Sequence, residues 1–438
     1  MFSRTGMLVF ALAFARMAFS QAALSPGERQ ANIDSFDVVW KTVLEKHWDP
    51  KLGGLDWEAV HDELRPKIEA AKTNEQARAV ISSMLARLNQ THFGVFPGEV
   101  YRHLETPDGR AEAGSEPESG DDTPGIDERV IDGHAVVTSV EPGSPAAEHG
   151  VKPGWEIVRI NSAEIAPLLR SIRDEFSTST LLDLRLQRSV LARLHGPAGT
   201  PVRIEFLDGA DHAVSLNLAR VPPRGKVVRF GNMPPGYFWS EWRKASPDVG
   251  YVRFNEFMDP EALSKTFEEA VHACRECKGF VVDVRGNPGG IGGLAMGAAG
   301  WFMDQSGVRL GNEYLRGLTI KFVIFPRSEP FRGPLAILVD GCSASTAEIF
   351  AEGLKDVKRA RIFGTRTAGA ALPSVISRLP NGDGFQYAIA NYISEGGQPL
   401  EGIGVTPDEE VHPTRRQLLA GQDPILDAAL DWIQKKHQ

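Results

Sequence analysis

The hydrophobic pattern changes twice along the 438 residues of the chain. From about residue 24 to residue 104, apolar side chains recur at helical spacing, which predicts amphipathic helices. Residues 125 to about 220 alternate over short runs, as strands do, with an apparent helical insertion between about 165 and 195. From about residue 226, continuous apolar runs alternate with helical patterns, which is typical of βαβ units. The pattern therefore predicts an α/β protein with a helical N-terminal segment and a β-rich middle.

Two polar or atypical segments punctuate this pattern. Residues 105–124 are rich in Glu, Asp, Gly, Ser and Pro, which predicts a solvated acidic linker. At the N-terminus, Arg4 precedes a short apolar run and then small residues, which is typical of a secretory signal peptide spanning residues 1–22. We expect a secreted or periplasmic protein with a helical domain at 23–104, a β-rich domain at 125–220 and a core at 226–438.

Composition excludes several classes of protein. The net charge is −9 and no basic stripe is evident, which argues against nucleic-acid binding. No run after the signal is long enough to cross a bilayer, so we expect no stable membrane insertion. The three cysteines are too few for a disulfide framework, and Cys274 and Cys277 are expected to be buried thiols or a local disulfide. No second ligand pair is spaced for zinc, so neither a metal nor another cofactor is predicted.

The most informative segment is 341–348, which reads GCSASTAE between a buried apolar run and a helical pattern. This order predicts a strand, a tight turn and a helix that begins at Ser345. Open α/β sheets place their sites at this edge, and the N–H groups at a helix start favour a developing anion. Ser345 is therefore a candidate nucleophile. The alternative is that Ser345 and Glu348 only form a capping box.

A second glycine-rich turn follows the strand at 279–284. Its Gly289 and Gly290 could bring backbone N–H groups close to a ligand, as an oxyanion hole requires. The N–H of Thr346, next to the candidate nucleophile, is the other expected donor. Two ordinary βα turns are the alternative interpretation.

The β-rich segment carries a strand, the sequence GSPA, a Gly turn and a second strand, in an order that resembles a bacterial PDZ domain. Trp155 departs from that pattern, because an aspartate is usual there. The resemblance implies that Gly125 and Ile126 begin the backbone nest that captures a peptide carboxylate. Asp127 beside them would repel that carboxylate.

Three blocks together resemble the tail-specific protease, or C-terminal processing peptidase, family. They read VDVRGNPGG at 282–290, SAS at 343–345 with Glu348, and GTRTAG at 364–369. The resemblance implies a ClpP/crotonase-like βαβ protease core, protein or peptide substrates, and no cofactor. It leaves the oligomeric state open, a homo-oligomer included.

The family has two branches, and this chain departs from one of them. The first branch pairs the serine with a lysine at the position that Ala370 occupies here. The other branch, which is similar to the tricorn core, uses a histidine from the helical segment, a hydroxyl residue before it and a late glutamate. Thr91, His92 and Glu401 match those blocks, which implies a tetrad with Ser345 as nucleophile and His92 as base. A non-catalytic peptide- or ligand-binding protein on the same scaffold is the alternative.

Overall fold

A computed structural model describes residues 24–98 and 120–436 of the chain. The predicted signal peptide and most of the predicted linker, up to residue 119, lie outside these ranges. Within them, no helix combines the length and apolarity that crossing a bilayer requires. The mixed α/β architecture is confirmed, with a helical N-terminal segment and a β-rich unit before the core sheet. The domain boundaries themselves stay predictions.

Polar residues cap the N-termini of the three helices in the helical segment. Ser25 and Glu28 form a capping box at the first helix, and Asp56 and Thr73 accept N–H groups at the next two. Their apolar faces pack into one cluster that includes Phe36, Leu64 and Ile81 among others. The elements are α1 (Pro26–Lys46), a 3-10 turn (Leu52–Gly54), α2 (Trp57–Glu69), α3 (Asn74–Ala86) and the short strand β1 (Gly94–Phe96).

The β-rich unit is an antiparallel sheet with strand order β2-β3-β4-β6-β7, and β5 pairs with β4. β2 lies at the edge of this sheet, and the helical insertion packs beside it. The strands are β2 (Ile126–Ile131), β3 (His134–Val140), β4 (Glu156–Ile160), β5 (Ala163–Glu164), β6 (Pro201–Leu207) and β7 (Ala213–Ala219). The helices are α4 (Pro145–Glu148), α5 (Ile165–Phe176) and α6 (Leu182–Leu194).

A six-stranded sheet of order β10-β11-β12-β15-β16-β20 forms the core, and only its β10–β11 pair is antiparallel. The strands are β10 (Ser240–Ser246), β11 (Val249–Phe254), β12 (Gly279–Asp283), β15 (Leu335–Val339), β16 (Arg361–Gly364) and β20 (Glu409–Glu410). All residues of β12 and β15 are buried, as strands covered on both faces require. The predicted alternation of strands and helices is present.

Helices cover both faces of this sheet. One apolar cluster contains residues of α7, α8 and α9, and a second, on the opposite face, is closed by α11. The helices are α7 (Pro260–Ala273), α8 (Gly292–Ala299), α9 (Thr346–Asp356), α10 (Arg415–Leu419) and α11 (Pro424–Lys435), with a 3-10 turn at Gly300–Phe302. Cys274 and Cys277 are free thiols at the end of α7.

Three small sheets decorate the core. They have the orders β1-β18-β17, β14-β13-β19 and β8-β9. Their strands are β8 (Lys226–Val228), β9 (Gly236–Phe238), β13 (Arg309–Leu315), β14 (Leu318–Val323), β17 (Ser374–Arg378), β18 (Gly384–Ala388) and β19 (Asn391–Ser394). The first of them joins the helical segment to the core, because Gly94 of β1 pairs with Gln386 of β18.

A buried ion pair reinforces that junction. Arg78 on α3 donates to both carboxylate oxygens of Asp383, whose side chain is 1% exposed. The same carboxylate accepts the N–H of Gly98 and the side-chain amide of Asn381. Because these donors come from the helical segment and from the turn before β18, the carboxylate holds the two parts of the chain together.

We expect Asp383→Ala to lower the free energy of unfolding by about 3–5 kcal/mol, because Arg78, Gly98 and Asn381 would lose the buried carboxylate that accepts their hydrogen bonds. Urea unfolding followed by tryptophan fluorescence measures the change. Asp304→Ala is the control, since its ion pair with Arg332 is exposed and should matter far less. Equal losses for the two variants would contradict a structural role for the buried pair.

Candidate active site

Ser345 lies at the carboxyl end of the core sheet, in the turn between β15 and α9. Its φ of 55° and ψ of −119° are strained for a residue with a side chain, at a cost of about 1–3 kcal/mol. The N–H of Ser345 donates to the carbonyl of Ala370 at 2.8 Å and to Oε2 of Glu348 at 2.9 Å. These two acceptors hold the strained turn in place.

The histidine that the sequence singled out reaches this serine from the helical segment. His92 lies in the loop between α3 and β1, and the pairing of β1 with β18 carries that loop to the core. Its Nε2 is 3.3 Å from Oγ of Ser345, across 253 residues of sequence. Both side chains are half-buried.

Thr91 and Glu401 lie behind the histidine, on the side away from the serine. Oγ1 of Thr91 is 2.7 Å from Nδ1 of His92 and donates to Oε2 of Glu401 at 2.8 Å. Oε1 of Glu401 accepts the Thr91 N–H at 2.7 Å, and Oε2 also accepts the N–H of Ala371 at 3.1 Å. The fold therefore brings Thr91, His92, Ser345 and Glu401 into one hydrogen-bonded row.

This row assigns the protons of a neutral histidine. Because the Thr91 hydroxyl has one proton and gives it to Glu401, its oxygen must accept from His92, so Nδ1 carries the imidazole proton. Nε2 is then left with a lone pair that can accept from the Ser345 hydroxyl. The geometry thus selects the tautomer that a general base needs.

The electrostatics of the site favour this neutral imidazole. Burial, and to a lesser extent the positive charge of Arg188, lower the pKa of His92 to about 4. Burial raises the pKa of Glu401, while its bonds to Thr91 and Ala371 oppose that change. At neutral pH the histidine is therefore unprotonated and able to receive a proton.

A second carboxylate, Asp340 at the end of β15, ties the two glycine-containing turns together. Its Oδ1 accepts the N–H of Gly286 at 2.9 Å and that of Cys342 at 3.0 Å. Arg129 of β2 donates to its Oδ2 at 2.7 Å. Although burial alone would raise the pKa of Asp340, Arg129 and these donors lower it. Asp340 is therefore ionised, and its carboxylate sets the spacing between the two turns.

The glycines at 289 and 290 play different structural roles. A Cβ on Gly289 would lie 2.6 Å from the Cβ of Ser345, so only glycine fits there. The N–H of Gly289 already donates to the side chain of Asn287 at 2.9 Å. Within residues 24–98 and 120–436, the N–H groups of Gly290 and Thr346 have no hydrogen-bond acceptor. Thr346 Oγ1 donates to the Gly290 carbonyl at 2.9 Å, which keeps these two residues side by side.

Glu348 has a larger role than the capping box that its spacing from Ser345 indicated. Its side chain is fully buried and, besides the Ser345 N–H, accepts the hydroxyl of Thr367 and the N–H groups of Gly369 and Ala370, at 2.6 to 2.9 Å. It therefore joins the nucleophile turn to the loop at 367–370. The S-x-x-E spacing was the sequence signal, but the partners in the loop lie 19 to 22 residues away.

Ala370 contacts Ser345 through its backbone, whereas Gly125 and Ile126 are not part of the hydrogen-bonded row. Ala370 is buried in a small apolar cluster with Leu184, Cys342 and others, so its methyl group fills the position of the first branch's lysine. Gly125 and Ile126 lie at the start of β2, outside the hydrogen-bonded row. The Gly125 N–H donates to Oγ1 of Thr123 at 3.1 Å.

Comparison with known proteins gives the family. Residues 248–411 match the model of peptidase family S41, and residues 31–86 match the tricorn protease C1 domain. A carboxy-terminal-processing protease of Bartonella bacilliformis is 26% identical over 65% of this chain and 59% of its own length. A carboxyl-terminal-processing protease of Synechocystis is 24% identical over 90% of this chain and 85% of its own length.

Among solved structures, the photosystem II D1 C-terminal processing protease superposes with a TM-score of 0.54 at 23% identity. The match covers 89% of this chain and 94% of that one. The fold is thus that of an S41 peptidase, and the chain belongs to the C-terminal processing peptidase family. It covers less than two thirds of the length of the Bartonella relative.

The buried carboxyl of Glu348 should make stability depend on pH. Burial raises its pKa to about 7, against the four hydrogen bonds that oppose this change. A folded-state pKa above the unfolded value stabilises the protein below about pH 4.5, and that stabilisation is lost as pH rises through 7. Between pH 4.5 and 7.5, we expect the free energy of unfolding of the wild type to fall by about 3 kcal/mol relative to that of Glu348→Gln.

Chemical denaturation of the two proteins across this pH range measures the difference. The difference between them, not either curve alone, isolates Glu348 from the other ionisable groups. If the wild type instead gains stability relative to Glu348→Gln as pH rises, or if the two stay parallel, the result would contradict the buried site described for this carboxyl.

Proposed function

We propose that the protein is a serine endopeptidase in which Ser345 is the nucleophile and His92 is the general base. The observation that carries this proposal is the row of hydrogen bonds from Ser345 Oγ through His92 and Thr91 to Glu401. Each atom in the row has the donor or acceptor role that proton transfer from the serine requires. A structural cap at the start of α9 would need none of the other three residues.

In the first step, Oγ of Ser345 attacks the carbonyl carbon of the peptide bond while its proton passes to Nε2 of His92. In the imidazolium so formed, the Nδ1–H still donates to Oγ1 of Thr91. The Glu401 carboxylate stabilises the positive charge through the Thr91 hydroxyl. Nε2 then returns its proton to the leaving amine as the C–N bond breaks. Water repeats the sequence on the acyl-enzyme and releases the acid.

The oxyanion of the tetrahedral intermediate would be bound by the N–H groups of Gly290 and Thr346. Both are without an acceptor in the described part of the chain, whereas the Gly289 N–H is engaged by Asn287. Thr346 is also the first residue of α9, where the helix dipole favours a negative charge. Gly289 would then serve by leaving room for Ser345.

The β-rich unit is proposed to be a PDZ domain that receives extended substrate segments. β2 is an edge strand and α6 packs beside it, which leaves an edge for strand addition. Asp127, one residue after Ile126, is held by Arg129 and faces the start of this edge with a negative charge. We propose that the unit binds the peptide backbone, with capture of the terminal carboxylate disfavoured at Gly125.

Substrates and location are proposed from the relatives. Both relatives compared above are named for carboxyl-terminal processing, so protein chain ends are the proposed substrates. With cleavage after the predicted signal at 1–22, the enzyme would act outside the cytoplasm, and N-terminal sequencing of the mature protein would test this.

A non-catalytic binding protein remains the second candidate, and Ala370 is the observation that favours it. Without a lysine at this position, a Ser-Lys dyad cannot form there. A fluorophosphonate probe separates the two candidates, because only a serine that can lose its proton to a base reacts with it rapidly.

We expect Ser345→Ala to abolish peptide hydrolysis and probe labelling. Glu348 and Ala370 would still hold the backbone of residue 345, so the melting temperature should change little. Turnover of a casein substrate and differential scanning fluorimetry provide the two measurements. Full hydrolysis with a lowered melting temperature would instead favour a capping role.

His92→Gln should remove most activity, by a factor of about 10²–10⁴, because Ser345 would keep its proton. Glu401→Gln should cost less, since Glu401 stabilises the imidazolium and transfers no proton. The comparison of kcat/KM for the two variants measures this order. A His92→Gln enzyme with wild-type kcat/KM would refute the assignment of the base.

The matched control is Ala370→Lys in the His92→Gln background. A lysine there would displace the apolar cluster around Leu184, so we expect lower stability and no recovery of activity. Recovery would show that the site works as a Ser-Lys dyad.

A further inference from the structure

The helix α6 of the β-rich unit is seated on the catalytic loops. Leu184, in its first turn, packs in one cluster with Cys342, Ala344 and Ala370. In the loop before the helix, Thr180 lies so close that a Cβ on Gly369 would be 2.8 Å from its Oγ1. The first turn of α6 therefore forms part of the wall around Ser345.

Arg188 follows Leu184 by four residues, which places both side chains on the same face of the helix. Its side chain is solvent-exposed, yet burial lowers its pKa. The side chain is thus open to solvent, while the protein atoms around it lower the pKa of the guanidinium. Its charge also acts on His92, whose pKa it lowers. Arg188 thus projects toward the space over the catalytic residues.

This guanidinium has no partner of opposite charge. In the described part of the chain, Arg188 forms neither an ion pair nor a hydrogen bond. Its neighbours on α6 differ, because Arg185 stacks on the ring of Phe176 at 4.1 Å and Arg193 donates to the Ser189 carbonyl. A partly desolvated cation without a counter-ion favours a ligand that supplies one.

The carboxylates of the site itself are already engaged. Glu401 accepts from Thr91 and Ala371, and Glu348 accepts from four donors. Neither is free to turn toward the helix. Among the described residues, no carboxylate pairs with Arg188, so a ligand is the proposed source of the negative charge.

We propose that Arg188 forms a carboxylate-binding subsite beside the scissile bond, which selects substrates with a negative charge next to the cleaved peptide. The carboxylate would come from an acidic side chain or from the end of the substrate chain, and the guanidinium can bind either in bidentate fashion. This inference rests on the proposed peptidase function. It places charge recognition at the catalytic cleft, away from Gly125 and the acidic Asp127 of the β-rich unit.

Such a subsite would also couple binding to proton transfer. The positive charge of Arg188 disfavours the imidazolium that His92 must form. A bound carboxylate would neutralise that charge and so make His92 a better base in the enzyme–substrate complex. We therefore expect the substrate carboxylate to raise kcat as well as lower KM.

The test begins with a peptide library digested by the wild-type enzyme. A well-cleaved peptide is then resynthesised in four forms. Two carry Glu or Gln beside the scissile bond, and two are shortened Gln peptides whose C-terminus, close to that bond, is either free or amidated. We expect kcat/KM to be about 10- to 100-fold higher for the form with a carboxylate, as a charge-assisted hydrogen bond allows. Whether the side-chain or the terminal form shows the preference identifies the source.

In Arg188→Gln, kcat/KM should be equal for the carboxylate and the neutral peptide. In Arg188→Glu, the neutral peptide should have the higher kcat/KM. Arg193→Gln, on the same helix, should keep the wild-type ratio. A wild-type enzyme that cleaves both forms equally, or an Arg188→Gln enzyme that keeps the preference, would overturn the subsite. Failure of the wild type to cleave any peptide or to be labelled at Ser345 would instead overturn the proposed function.

Discussion

The candidate site depends on one buried carboxylate, that of Glu348. Its oxygens bind the N–H of Ser345 and three donors in the loop at 367–370. Glu348 therefore holds the strained backbone of Ser345 in a fixed position relative to this loop. One residue further along, the N–H of Ala371 donates to Glu401, and the chain then enters β17 and β18. Because β18 pairs with β1, the same loop also positions His92.

A second carboxylate connects the site to the rest of the molecule. Asp340 holds the two glycine-containing turns at a fixed spacing and is paired with Arg129 of the β-rich unit. With Asp383 at the junction of the helical segment, all three parts of the chain are joined through buried or half-buried charges. Such pairs contribute little net stability compared with apolar contacts, but breaking one leaves an unpaired charge, so they enforce a single arrangement.

This organisation is consistent with the proposed proton path in a chain that lacks the lysine of one branch. The methyl group of Ala370 is buried against Leu184 and Cys342, where a lysine side chain would have to displace apolar neighbours. The proposed base, His92, instead comes from the loop before β1. Packing of α6 against the loops beside Ser345 also brings Arg188 near His92, from a unit that is neither the helical segment nor the core.

Local patterns in the sequence determined the helices, the buried strands and the turn at Ser345. These features depend on periodicity, caps and backbone conformation within a few residues, and such information is written locally. The roles of Thr91, His92 and Glu401 came only from a family resemblance. The contact between Thr91 and Glu401 spans 310 residues of sequence, and that between His92 and Ser345 spans 253. The choice of Gly290 over Gly289 as a free donor, the loop contacts of Glu348 and the exposure of Arg188 were decided by tertiary structure alone. The physical reason is that a hydrogen bond between distant residues depends on strand pairing and on the seating of α6, and neither leaves a periodic signal in the chain.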